Sequence, residues 1–168
     1  SGKSTLIRIL SGSLSPSKGT IRFEENGEEI SADDVFQKIA IAAPYIDMVE
    51  ELTLREMVDF HFQFKSHFPG DNTAKVIETI MLKGQEHKQL KYFSSGMKQR
   101  LKLGLAVLSN VPVVLLDEPT TNLDEAGSKW YLDLVKKNVE ERILIISSNL
   151  NREHDFCDET LDVMRFKG

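Results

Sequence analysis

The chain opens on Ser1-Gly2-Lys3-Ser4-Thr5, residue types suited to holding phosphate. They complete the second half of the pattern G-x-x-x-x-G-K-[ST]. In that pattern glycine lets backbone N–H groups close around phosphate oxygens, and the following helix N-terminus adds positive dipole. Lys3 then reaches the outer phosphates of a nucleoside triphosphate, and the Ser4 hydroxyl is a ligand for Mg²⁺. Much further along, the apolar run Val113-Val114-Leu115-Leu116 ends in Asp117-Glu118. An aspartate at the end of a buried strand can stand beside a metal ion at the sheet edge where open α/β sheets bind ligands. The glutamate next to it can polarise an attacking water as general base.

A third group is Phe93-Ser94-Ser95-Gly96-Met97-Lys98-Gln99-Arg100, at the head of an amphipathic helix, with Ser a good N-cap. With Asp117-Glu118-Pro119-Thr120-Thr121-Asn122-Leu123-Asp124 it completes an ordered series that resembles the ATP-binding cassette ATPases, known by a signature L-S-G-G-Q before the helix and a D-E-P-T…L-D block after it. The resemblance spans nearly the whole chain. It implies that Ser1 to Thr5 cradle ATP and its Mg²⁺, with Lys3 on the phosphates. It further implies that Asp117 supports the metal together with Ser4, and that Glu118 is the catalytic carboxylate. Ser94, Ser95 and Gly96 would meet the γ-phosphate held by a second protomer, and Asp124 would lie at the dimer interface. The active form would be a head-to-tail pair of protomers enclosing two ATP molecules.

Three parts of that family's pattern are altered. In the signature, Phe93, Ser95 and Met97 replace Leu, the first Gly and Gln, while Ser94 and Gly96 remain. The family's Pro-Gln pair corresponds to Pro44-Tyr45, so a phenol stands where an amide is usual. Counted back from Cys157-Asp158, the family's histidine after the last core strand falls at Ser148, with Asn149 beside it. Either side chain can hydrogen-bond a γ-phosphate, but neither carries a proton as imidazole does. His154 reads as surface, and His61, His67 and His87 lack metal-ligand spacing.

The elements that must position these residues follow from periodicity. Leu6, Ile7, Ile9 and Leu10 stripe a helix after Lys3, and Asn26-Gly27 offers a tight hairpin turn. A short helix is expected near Asp33–Gln37 and a strand over Ile39–Ala43. Thr53 and Glu56 form a capping box for a helix to about Lys65, and Pro69-Gly70 breaks the block. A second helix is expected over about Thr73–Leu82, and a third from Ser95. Val113–Leu116 and Ile143–Ile146 read as buried parallel strands, separated by a helix through Trp130, Leu134 and Val135. A final strand is expected around Leu161–Phe166. The alternation gives an α/β fold: a P-loop NTPase three-layer core with a mainly parallel sheet, at about 1–45 and 97–168, and a helical subdomain insertion at about 46–96. A strand feeding the phosphate-binding loop is expected upstream of Ser1.

At 168 residues the chain holds one α/β core. A net charge of −5 weighs against a general nucleic-acid binder, so no nucleic acid is expected. The single cysteine, Cys157, cannot close an internal disulfide, which suits a reducing cytoplasm. No apolar run approaches the roughly 20 residues of a membrane-spanning helix. The resemblance therefore implies the ATP-hydrolysing subunit of a membrane transporter, held at the cytoplasmic face by separate transmembrane subunits. The roughly fifty residues between Tyr45 and Ser94 suit a transporter's helical subdomain. Two alternatives stay open: a soluble cassette ATPase with no role in transport, and a regulatory module that binds ATP with little turnover.

Overall fold

In the computed structural model, which describes residues 2–139 and 141–166, the chain begins with α1 (Lys3–Leu10) and a small hairpin of β1 (Glu24–Glu25) and β2 (Glu28–Glu29). Then come α2 (Val35–Lys38), β3 (Ile39–Ala42), α3 (Leu54–Phe64), α4 (Thr73–Thr79) and α5 (Ser95–Val107). The chain continues through β4 (Val113–Asp117), α6 (Glu125–Asn138) and β5 (Ile143–Ser147). Asn26-Gly27 makes the hairpin turn, both residues at positive φ, and pairs Glu25 with Glu28.

β3, β4 and β5 form a parallel sheet in that order, with Ile39 opposite Val113 and Val113 opposite Ile143. The two-residue period of a strand sends alternate side chains to opposite faces, and here both faces are apolar. Ile39, Ile41, Val113, Leu115 and Ile145 face Ile7 of α1 and Val35 of α2. Ala40, Ala42, Val114, Leu116, Leu144 and Ile146 face the larger cluster built by α5 and α6. This is the three-layer arrangement. Leu115 and Leu116, each fully buried, contribute about 1.5–3 kcal/mol apiece. The larger cluster continues without a break into α3 and α4 through Leu54, Val58, Val76 and Ile77.

Local chemistry sets the element ends. Thr53 and Glu56 form the reciprocal capping box that starts α3. α4 is shorter than its apolar pattern suggests: Met81 adopts φ 59, and the N–H of Leu82 donates to Ile77 O at 3.1 Å. Leu82 is thereby buried without being helical. Between α4 and α5 the chains approach so closely that a Cβ on Gly104 would lie 2.1 Å from Ile80 Cγ2.

The strand expected around Leu161–Phe166 is not formed; Val163–Phe166 is a 3-10 turn. Asp162 offers the backbone a local alternative, its side chain accepting from Met164 N at 2.9 Å and its carbonyl from Arg165 N at 3.2 Å. Among the described residues β5 pairs on one side only, and Ile143 at its start is 60% exposed. A groove of about 840 Å³ runs along it between Leu6, Ile7, Phe156 and Leu161, and its lining includes Lys3, Ser147, Ser148 and His154. No helix among the described residues is long and apolar enough to cross a membrane.

Candidate active site

β4 and β5 deliver their polar ends side by side. The register that pairs Val113 with Ile143 carries on to pair Asp117 with Ser147, and Ser147 Oγ donates to Asp117 Oδ1 at 2.6 Å. Both residues are buried, and the second Asp117 oxygen accepts no hydrogen bond among the described residues. One residue further on, Glu118 leaves the strand at φ 47, in the left-handed region. That conformation costs a residue other than glycine on the order of 1–3 kcal/mol and persists only where the surroundings hold it. Glu118 N donates to Ser147 O at 2.8 Å and Thr121 N to Glu118 O at 3.2 Å.

α1 reaches the same edge from the first layer. It starts at Gly2, at φ 88, with no side chain capping its first turn, and Ser4 and Thr5 are exposed there. Lys3 Nζ donates to Asn149 Oδ1 at 2.6 Å, and Asn149 Nδ2 donates to Glu118 Oε1 at 3.1 Å. One amide thus bridges an ammonium and a carboxylate whose elements are far apart in sequence. Burial raises the Glu118 carboxyl above its usual range; the Glu153 and Asp117 carboxylates add to this, and the Lys3 ammonium opposes it.

Ser148, the position counted as the family's histidine, does not take part in this bridge. Its hydroxyl accepts from Leu150 N at 2.8 Å and serves the local turn. β5 ends at Ser147, and Ser148 and Asn149 lie in the bend beyond it, where Asn149 turns to Glu118 and Ser148 to the backbone of Leu150. In this structure Asn149, the neighbour of Ser148, is the residue that meets Lys3 and Glu118.

Tyr45 stands in the loop after β3, with Arg8 of α1 5.7 Å from its ring centroid. Its phenol is pushed up by burial and by the Asp117 carboxylate, against the opposing Arg8 cation, so it is present as a hydrogen-bond donor. Ser94 caps α5, accepting from Met97 N at 3.2 Å, and Asp124 caps α6, accepting from Gly127 N at 2.7 Å. Gly96 connects these two regions, since a Cβ there would approach Asn122 O to 3.1 Å. No hydrogen bond among the described residues joins Ser94, Ser95, Gly96 or Asp124 to Lys3 or Glu118. Ser1 lies outside the described residues.

Glu153 gives no clear signal in the sequence. It is 1% exposed, and its Oε1 accepts from Thr120 N at 3.1 Å and from the Thr120 hydroxyl. His154, expected at the surface, is half-buried beside it and closes the 3-10 turn Asn151–Glu153. Among the described residues no group of three His, Cys, Asp or Glu side chains could hold a metal ion. A cation at this edge would rest on the Ser4 hydroxyl and the free Asp117 oxygen, completed by phosphate oxygens and water. That donor set fits Mg²⁺, which keeps several waters and takes few protein ligands.

Residues 1–121 match the family model described as ABC transporter. The chain belongs to the ABC transporter family. Over 98% of its length this ABC domain is 31% identical to the ABC transporter ATP-binding protein YcbN of Bacillus subtilis, of which it covers 54%. It therefore spans about half the length of that relative. It is also 32% identical to the cytochrome c biogenesis ATP-binding export protein CcmA of Agrobacterium fabrum, over 88% of this chain and 70% of that protein. In fold the ABC domain is similar to an ABC transporter ATP-binding protein from Pyrococcus furiosus, with TM-score 0.79 at 24% identity, covering 99% of this chain and 81% of the other. The dimeric ABC transporter cassette MJ0796 matches with TM-score 0.72 at 21% identity, over 90% and 72% of the two chains.

Proposed function

We propose that this chain binds and hydrolyses ATP as the nucleotide-binding domain of an ABC-type membrane transporter. The observation that carries the reading is the Lys3–Asn149–Glu118 bridge. It brings a phosphate-binding ammonium and a carboxylate at the end of a buried strand to opposite sides of one amide. Relatives agree in kind: CcmA is an ATP-binding export protein, and one structure of the MJ0796 cassette is a dimer in a post-hydrolysis state bound to ADP and Pi.

In this reading the uncapped first turn of α1 (Gly2, Lys3, Ser4 and Thr5) receives the β- and γ-phosphates, and Lys3 exchanges Asn149 for phosphate oxygen. Mg²⁺, when bound, neutralises charge on those oxygens, and Ser4 and Asp117 would hold it. Glu118 accepts a proton from water as the water oxygen bonds to the γ-phosphorus and the bond from that phosphorus to the bridging oxygen breaks. Asn149 keeps the carboxylate aimed and, once released by Lys3, can donate to the γ-phosphate. Tyr45 supplies a neutral donor near Asp117. Ser94, Ser95 and Gly96 act on the nucleotide of the partner subunit, and the Asp124 loop lies between the two sites. The segment at about 46–96 is the helical subdomain, facing separate transmembrane subunits, and the domain works at the cytoplasmic face through them.

A second reading, a module that closes on ATP but turns it over slowly, is favoured by Tyr45 standing where the family's glutamine is usual and by Ser148, with Asn149 beside it, where its histidine is usual. One assay separates the two. Phosphate release at saturating Mg²⁺-ATP is measured in the full protein and in Glu118→Gln, which keeps the shape of the side chain but cannot take the proton. Turnover in the parent and a loss of about 10²–10⁴-fold with retained ATP binding are expected. Equal rates in the two proteins reject Glu118 as the base.

A further inference from the structure

The loop after β4 is tied to the segment after β5 at three successive points. Ser147 holds Asp117, Asn149 holds Glu118, and Glu153 holds Thr120 by both its N–H and its hydroxyl. The third tie has an odd feature. Glu153 is 1% exposed, yet its Oε2 is buried with no hydrogen-bond partner among the described residues. An unsatisfied buried carboxylate oxygen is costly and calls for a reason. A shorter polar side chain could cap the same turn at lower cost, so stability alone does not supply that reason.

The strained backbone of Glu118 does. At φ 47 this residue tends to relax toward the right-handed region, which would swing its carboxylate away from Asn149 and Lys3. Its own N–H is fixed on Ser147 O, and the far side of the turn is fixed at Thr120, two residues on. Glu153 is itself held from α6, where the fully buried Tyr131 donates its hydroxyl to Glu153 O at 3.1 Å. On the opposite side Gln99 of α5 donates to Pro119 O at 2.7 Å. The turn is thus gripped by α5 and, through Glu153, by α6.

We infer that Glu153 is a positioning residue for hydrolysis: by clamping Thr120 it keeps the turn in the conformation that aims the Glu118 carboxylate at the Lys3 and Asn149 side of the site. Glu153 touches no substrate and acts through Thr120. This rests on the ATP-hydrolysis reading above.

The test uses the full protein and separates turnover from binding. Glu153→Ala is expected to lower kcat for ATP by about 10-fold or more while KM stays within about twofold, because the phosphate-binding turn of α1 is untouched. Glu153→Gln, which keeps an acceptor for Thr120, is expected to retain most of the turnover. Thr120→Val should lose part of it, and Glu153→Ala combined with Thr120→Val should be no worse than Glu153→Ala alone, since both break one tie. Hydrogen exchange reads the clamp without reference to hydrolysis: Glu153→Ala should speed exchange at Thr120 while Val113–Asp117 stay protected. Parental turnover in Glu153→Ala despite faster exchange at Thr120 overturns the inference. So does a fall in the double variant that is the product of the two single losses. If Glu153→Ala does not fold, Glu153→Gln and Thr120→Val carry the same comparison. A parent without turnover, unchanged by Glu118→Gln, instead rejects the hydrolytic reading itself; the exchange result then decides the clamp alone.

Discussion

Asn149 donates its side-chain amide to the Glu118 carboxylate across 3.1 Å, while Ser148 beside it turns to the backbone of Leu150. Substitutions at these neighbours should therefore diverge. Asn149→Ala is expected to cut turnover by about 10-fold, or about 1.4 kcal/mol in the barrier, and Ser148→Ala to leave it within about twofold. Asn149→His should preserve the contact and bring in a group that titrates near pH 6.5, so its rate should gain a pH dependence there that the parent lacks. Steady-state phosphate release across pH 6–9 checks all three. Equal effects at both positions would reject the assignment.

Lys3 gives a binding prediction. Its ammonium now rests on a neutral amide oxygen at 2.6 Å, a partner it can exchange for phosphate. A hydrogen bond to a charged group is worth about 1.5–3 kcal/mol. Lys3→Ala should therefore weaken ATP by roughly 10- to 100-fold in calorimetry. Adenosine affinity, which involves no phosphate, should not change.

How much of this was legible beforehand depended on the kind of signal. Strands with both faces buried are continuous apolar runs, so Val113–Leu116 and Ile143–Ile146 could be read from composition alone. The capping box at Thr53 and the turn at Asn26-Gly27 each carry their own local chemistry. The lost strand near Leu161 had no such support: its hydrophobic residues compete with the side chain of Asp162, and pattern alone does not rank the two. In the site, Lys3, Ser4, Asp117 and Glu118 stand in recognisable strings. Asn149 and Glu153 do not, because their roles come from contacts between the segments after β4 and β5 and from burial, which only the folded chain reveals.

Gly104 offers a stability test. A methyl group there would lie 2.1 Å from Ile80 Cγ2, and Ile80 is fully buried. Alanine gains about 1 kcal/mol in helix propensity. Overpacking costs about 1–3 kcal/mol and should prevail. Gly104→Ala is expected to lower the thermal midpoint by several degrees, and Ile80→Leu, which removes the branch at Cβ, should restore part of it. A higher midpoint in Gly104→Ala alone would contradict the packing.

His61 predicts a dependence of stability on pH. Burial, reinforced by the nearby Lys65 ammonium and by His67 and only partly countered by a hydrogen bond involving Leu105, lowers this imidazole from 6.5 to about 4. Its Nε2 sits 2.9 Å from Ser109 Oγ. The unfolded chain binds the proton more readily, so stability should be full above pH 7 and fall as pH drops from about 6.5 toward 4. The loss from this group reaches about 3 kcal/mol at most. Urea unfolding at pH 7.5 and pH 5 measures it, and His61→Gln should flatten the difference.

The one-sided pairing of β5 among the described residues has a practical consequence for anyone handling this polypeptide alone. A strand with an unpaired edge presents a row of backbone donors and acceptors, and this one adds the bare flank of Ile143 and an apolar groove beside it. Such an edge is a template on which a second chain can lay a strand. At high concentration the isolated domain would tend toward a self-pairing unrelated to nucleotide, and an association seen without ATP would report on that edge and leave the proposed ATP-bound dimer untested.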